Sequence, residues 1–133
     1  MRTMRAMGFF AGIFFAIFSV ASIAVATDAA AETITFRVQH LDGRVGHIRF
    51  FSMDRQVQWP APGQGYPLRD YGVHEYRLSC NRNERICYGA WVLGSGGNLY
   101  WGAGIHGNNY CANCCYTCHG NTTQLIVLHG SRR

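Results

Sequence analysis

The sequence has no lysine, only three prolines and seven acidic residues, and beyond its N-terminal segment it shows no helical periodicity. Without a 3.6-residue apolar repeat, an α-helical bundle is not expected. With so few carboxylates, the sequence offers no pair of acidic residues suited to general acid–base catalysis. Neither a G-x-S-x-G nucleophile elbow nor a phosphate-binding glycine loop is present. We therefore expect a protein that is not an enzyme, with thiol redox activity as the exception.

The N-terminus has the residue order of a secretory signal. Arg2 and Arg5 precede an apolar stretch from Met7 to Ala26, and Ala29-Ala30-Ala31 offers a small-residue cleavage site. Cleavage there predicts a secreted or periplasmic protein, with residues 1–31 as the signal peptide and residues 32–133 as one domain. The apolar stretch is also long enough to remain as an uncleaved anchor. That anchor would be the only membrane contact we expect.

All basic residues of the mature chain are arginines. Ten of them stand against six acidic residues in the 32–133 region, but they are dispersed and form no run. A dispersed set of arginines is typical of a solvated surface, whereas a run of basic residues is typical of nucleic-acid binding. We expect no specific nucleic-acid partner.

Two-residue alternation recurs after the signal and predicts β-structure. Ile34, Phe36 and Val38 share one side of the first strand-like segment. Further strand patterns follow, separated by turn residues, and a loop rich in proline and glycine runs from Pro60 to Gly65. The sequence therefore predicts an all-β fold, a small antiparallel β-sandwich or barrel of about seven or eight short strands.

The six cysteines are confined to one part of the chain. An even number of clustered cysteines in an exported chain is typical of a disulfide framework. Cys80 and Cys87 flank a predicted hairpin tip at residues 81–84, so they either bridge it or both reach toward the 111–118 segment. The sequence does not choose between these pairings. The framework comprises Cys80, Cys87, Cys111, Cys114, Cys115 and Cys118.

One five-residue segment carries a cofactor motif. Cys115-Tyr116-Thr117-Cys118-His119 resembles the C-x-x-C-H attachment site of c-type cytochromes. The resemblance implies haem c held through Cys115 and Cys118, with His119 as an iron ligand. It makes a redox or electron-transfer protein the alternative function.

A thiolate zinc site is a further alternative. Cys111-x2-Cys114 and Cys115-x2-Cys118 have the spacing of tetrahedral zinc ligands. An oxidising compartment converts such thiolates to disulfides. We therefore expect neither a metal nor a cofactor.

The chain is rich in aromatic residues, several of which stand beside glycines. Such residues can form a platform that stacks on a sugar ring or a partner peptide, or they can fill the core of a small β domain. We predict a binding or structural module whose partner is an envelope or extracellular protein or glycan. The candidate aromatic residues are Trp59, Tyr66, Tyr100, Trp101 and Tyr110.

Overall fold

The computed structural model describes residues 23–25 and 30–131. The predicted signal peptide, apart from residues 23–25, 30 and 31, lies outside this part. The described part is all-β, and none of it forms a helix long and apolar enough to cross a membrane. Its strands are β1 Ala31–His40, β2 Gly46–Ser52, β3 Gln58–Trp59, β4 Tyr66–Leu68, β5 Val73–Asn81, β6 Arg85–Val92, β7 Tyr100–Gly102, β8 Cys115–Thr117 and β9 Thr122–Leu128.

The strands form two sheets. The first has the order β5-β1-β9, in which β1 pairs antiparallel with β5 and parallel with β9. The second has six strands in the order β3-β2-β6-β7, with β4 also paired to β2 and β8 to β6, and its pairings are all antiparallel. The β1–β9 pair therefore departs from the purely antiparallel arrangement expected. Parallel strands need a long connection between them, and here that connection is most of the domain.

The core draws residues from both sheets. Alternation along β1 buries Ile34, Phe36 and Val38 completely, because successive side chains of a strand point to opposite faces. From the second sheet, β2 contributes Ile48 and Phe50, and the ring centres of Phe36 and Phe50 lie 4.5 Å apart. Each such side chain contributes about 1.5–3 kcal/mol on burial. One shared core thus joins the two sheets.

Three disulfides connect the six cysteines, and none of them is free. Cys80 of β5 bonds to Cys118, just beyond β8, and so links the two sheets. Cys87 and Cys115 are register partners in β6 and β8 and bond to each other. Both cysteines that flank the 81–84 tip therefore reach the 111–118 segment, and neither bridges the tip. The third pair is Cys111–Cys114.

A buried glutamate organises the tip between β5 and β6. Glu84 is only 3% exposed, and its carboxylate accepts hydrogen bonds from the Ser52 hydroxyl, the Arg55 guanidinium and the Asn81 amide. Burial alone would raise the pKa of Glu84, but these hydrogen bonds together hold it below its ordinary value. The Glu84 carbonyl also accepts from the Cys118 amide at 2.8 Å. The tip is thereby fixed beside the disulfide that links the sheets.

Candidate binding groove

The second sheet has a face that points away from the core. In β2, Ile48 and Phe50 turn inward, so His47, Arg49 and Phe51 lie on the opposite face. The register places His47 opposite Trp91 of β6 and Arg49 opposite Gly89. A cation, an imidazole and an indole from two strands are thus brought together on this outer face.

A loop covers part of this face because two glycines leave room for it. A Cβ atom at Gly89 would lie 2.0 Å from the carbonyl oxygen of Gly104, and one at Gly107 would lie 2.8 Å from the Phe51 ring. Both distances are far below van der Waals contact. Residues 103–114, called here the 103–114 loop, therefore lie directly against the sheet. Their edge forms one wall of a groove.

Arg49 connects this loop to the proline- and glycine-rich loop of residues 60–65. Its Nε donates to the Gln64 carbonyl, and its Nη1 donates to the Ile105 carbonyl at 3.0 Å. The guanidinium carbon lies 5.0 Å from the Trp91 ring centre and 5.8 Å from that of Phe51, within cation–π range. The side chain is only 6% exposed. Arg49 thus holds two loops in place above the sheet.

Between the two loops lies an open groove of about 450 Å³. A groove of this size is in the range that accepts a small ligand or a few residues of a partner chain. No acidic side chain lines it. We call it the Arg49 groove, and its lining residues are His47, Arg49, Gly63, Gln64, Gly65, Trp91, Leu93 and Ile105.

Arg49 gives the groove a positive charge that no acidic side chain of its lining neutralises. Burial lowers the pKa of Arg49, and no acidic group opposes this shift. Burial, followed by the charge of Arg69, lowers the pKa of His47. The His47 ring stacks on Trp91 with centroids 5.8 Å apart, and its buried Nδ1 has no hydrogen-bond partner among the described residues. An anionic group is the complement that this arrangement lacks.

The aromatic residues singled out from the sequence do not gather on one surface. Trp101 is buried in the core, and its Nε1 donates to the His129 carbonyl at 3.2 Å. Its neighbour Tyr100 lies on the opposite face of β7 as the register partner of Trp91. Trp59 and Tyr66 pack against the core cluster, while Tyr110 is 86% exposed.

The residues of the C-x-x-C-H motif are divided between two disulfides. Cys115 is bonded to Cys87, and Cys118 is bonded to Cys80, while His119 is exposed. Haem attachment would require both sulfurs as thioethers. In this structure neither sulfur is available for that bond.

The spacing considered for zinc does not match one cluster in space. Cys118 bonds to Cys80, apart from the other three cysteines of the motif. The sulfurs that lie within 4.8 Å of one another are those of Cys87, Cys114 and Cys115, a group that includes neither Cys111 nor Cys118. All three belong to disulfides, so no thiolate ligand is present.

A second cavity, of about 420 Å³, lies where β1 begins and β5 ends. Ala31, Glu32, Arg55 and Cys80 are among its lining residues. Ala31 is also the last residue before the predicted cleavage site, so cleavage there would remove part of the cavity wall. The Arg49 groove, whose walls all lie within the predicted mature chain, is the better candidate site.

Sequence reasoning missed the three residues at the centre of the groove. His47 and Trp91 belong to no sequence motif, and Arg49 is one of ten dispersed arginines. The available signal was the alternation of β2, which sets Arg49 on the face opposite Ile48 and Phe50.

Comparisons with known proteins give no relative from which to assign a site or a function. The chain matches no protein-family model, no curated protein and no solved structure.

Proposed function

We propose that the protein is an exported, non-enzymatic β-sandwich that binds a partner at the cell envelope or outside the cell through the Arg49 groove. One observation carries this proposal: two loops are fixed above a disulfide-bonded sheet, with an open groove between them. Binding sites are commonly built in this way, on loops that a rigid scaffold positions.

The disulfides support the proposal because they anchor the far end of the loop whose residue Ile105 lines the groove. Cys87–Cys115 joins two strands of the sheet, and Cys111–Cys114 closes the end of the 103–114 loop. The loop is therefore ordered before a ligand arrives, which reduces the entropy lost on binding. The three disulfides also support export, since disulfides persist in oxidising compartments.

Peptide and glycan arrays test the proposal with two matched variants. Leu93 is 55% exposed at the groove, and Leu93→Glu places a charge there without disturbing the core. Leu125 is 37% exposed on the first sheet, and Leu125→Glu is the control. We expect the wild type and Leu125→Glu to bind the same array members and Leu93→Glu to lose them. Absence of binding on both arrays, or equal binding by all three proteins, overturns the proposal.

A redox or electron-transfer protein is the second candidate, favoured by the C-x-x-C-H motif at Cys115, Cys118 and His119. This function requires the disulfides of Cys115 and Cys118 to be absent or reducible in the exported protein. A visible spectrum and a thiol count on native material separate the two candidates. A haem band or a reactive thiol pair supports redox function, whereas colourless protein without free thiols supports binding.

A further inference from the structure

Arg49 has an unused hydrogen-bonding group beside the groove. Its Nε and Nη1 donate to backbone carbonyls of Gln64 and Ile105, but Nη2 has no acceptor among the described residues. Nη2 is not one of the fully buried atoms that lack a partner, and the side chain lines the groove. A guanidinium in this position can still bind one oxygen of an anion.

The protein supplies no carboxylate for this position. A mostly buried charge without a counter-charge is costly, and burial is the cause that lowers the pKa of Arg49. The described acidic residues all have other partners. Glu32 pairs with Arg82, Asp42 with Arg44, Asp70 with His74, Glu75 with Arg37 and Glu84 with Arg55, and Asp54 accepts from the Arg85 amide.

The shape of the groove favours a peptide over a sugar. Arg49 is only 6% exposed, so a narrow side chain reaches it more easily than a ring does. Trp91 is 8% exposed, and its ring is flanked by His47 and Arg49, which leaves no open aromatic face for sugar stacking. Leu93 offers apolar surface at the groove instead.

We infer that the Arg49 groove binds a glutamate or aspartate side chain of an extended partner-protein segment. Apolar residues beside that acid pack on Leu93 and Ile105, while the carboxylate accepts a hydrogen bond from Nη2 of Arg49. This inference rests on the proposed function and specifies its ligand. Charge complementarity and the apolar lining together set the expected motif, an acidic residue between apolar ones.

Nuclear magnetic resonance titration with blocked pentapeptides tests this inference. One peptide carries a glutamate between two leucines, and its partner carries glutamine there. We expect the glutamate peptide to shift the Trp91 indole and Ile105 amide signals saturably, with an affinity about tenfold higher than that of the glutamine peptide. Added salt should reduce the difference.

Two variants show whether Arg49 is responsible for the preference for the glutamate peptide over the glutamine peptide. Arg49→Gln should bind both peptides equally weakly, whereas Arg77→Gln, on the exposed face of β5, should behave like the wild type. Because Arg49→Gln also removes the bonds to Gln64 and Ile105, Leu93→Glu is the second test. It leaves Arg49 and its hydrogen bonds in place, and its negative charge should abolish binding of the glutamate peptide.

The possible outcomes distinguish failure of the acidic-ligand inference from failure of the proposed function. Equal affinity of the wild type for both peptides overturns the acidic-ligand inference and leaves a groove that binds uncharged segments. Tighter binding of an oligouronic acid at the same signals overturns it in favour of an acidic glycan. If no peptide or glycan shifts any groove signal and both arrays are blank, the proposed function fails as well.

Discussion

Arg49 of β2 and Gly89 of β6 are direct register partners. Because Gly89 has no side chain, the 103–114 loop can lie against the sheet, and Arg49 holds that loop by a hydrogen bond. The Gly104 carbonyl lies where a Cβ atom of residue 89 would be, and Ile105, the next residue, accepts a hydrogen bond from Arg49. The outer face of the second sheet is thus shaped by a pair of residues on neighbouring strands.

Replacing Gly89 by alanine should lift the 103–114 loop from the sheet. The added methyl group meets backbone at 2.0 Å, and backbone cannot give way as a flexible side chain does. We expect Gly89→Ala to lower the free energy of unfolding by about 1–3 kcal/mol, measured by urea denaturation. The control is Gly72→Ala, an exposed site whose nearest atom is the Asp70 carboxylate at 3.1 Å. Equal denaturation midpoints for the two variants would contradict the close packing of this loop.

The buried carboxylate of Glu84 at the β5–β6 tip should contribute more to stability than a surface carboxylate does. Glu84→Gln removes the charge that Arg55 pairs with at 2.8 Å and leaves buried donors poorly satisfied, so we expect a loss of about 1–3 kcal/mol. Glu75→Gln breaks the exposed pair with Arg37 and should cost less than about 1 kcal/mol. Thermal unfolding of both variants checks this order. A larger loss of stability in Glu75→Gln than in Glu84→Gln would contradict this prediction.

The disulfides should contribute unequally to stability. Cys80–Cys118 spans 38 residues and links the sheets, whereas Cys111–Cys114 spans 3. Loop-closure entropy gives about 4 kcal/mol for the first and about 2 kcal/mol for the second. Paired alanine variants compared by guanidinium unfolding should show this order. If removal of Cys111–Cys114 is the more damaging change, the first bond is not the main constraint on the domain.

Stability should fall on mild acidification because of two histidines. Burial, the largest cause, lowers the pKa of both His40 and His47 below 6.5. The unfolded chain therefore binds protons more readily, and unfolding becomes easier as the pH falls through about 6.5. The pKa values of Asp42 and Glu84 are lowered, so their contributions are lost only in more acidic solution.

The pH slope identifies the histidine responsible. We expect His40→Gln to flatten the change in the free energy of unfolding between about pH 7 and pH 5.5, whatever its effect at pH 7. Leu125→Gln, at an exposed position without a titratable group, should retain the wild-type slope. A series of urea denaturations across this range measures both. An unchanged slope in His40→Gln would assign the acid sensitivity elsewhere.

Local patterns predicted most of the strands. Alternation at Ile34, Phe36 and Val38 identified the core face of β1, and the turn residues at 81–84 identified the tip between β5 and β6. The strand β8 was not predicted, because three residues within a cysteine-rich segment carry no readable period. The parallel pairing of β1 with β9 was not predicted either, since it joins distant parts of the chain without a connecting turn.

The groove could not be predicted for the same reason. Its centre depends on β2 lying beside β6 in one register, and a shift of one residue would exchange the faces of the strand. Composition instead drew attention to Tyr100 and Trp101, which are adjacent in sequence and therefore lie on opposite faces of β7. Aromatic content alone does not distinguish a core ring from a binding surface.

Peptide mapping of the natively exported protein tests most directly whether its cysteines frame a binding domain or carry a cofactor. We predict colourless protein that begins at Glu32, with no free thiol and with crosslinked peptides joining Cys80 to Cys118, Cys87 to Cys115 and Cys111 to Cys114. A haem absorption band, with the mass of haem on the peptide that contains Cys115 and Cys118, would contradict this prediction.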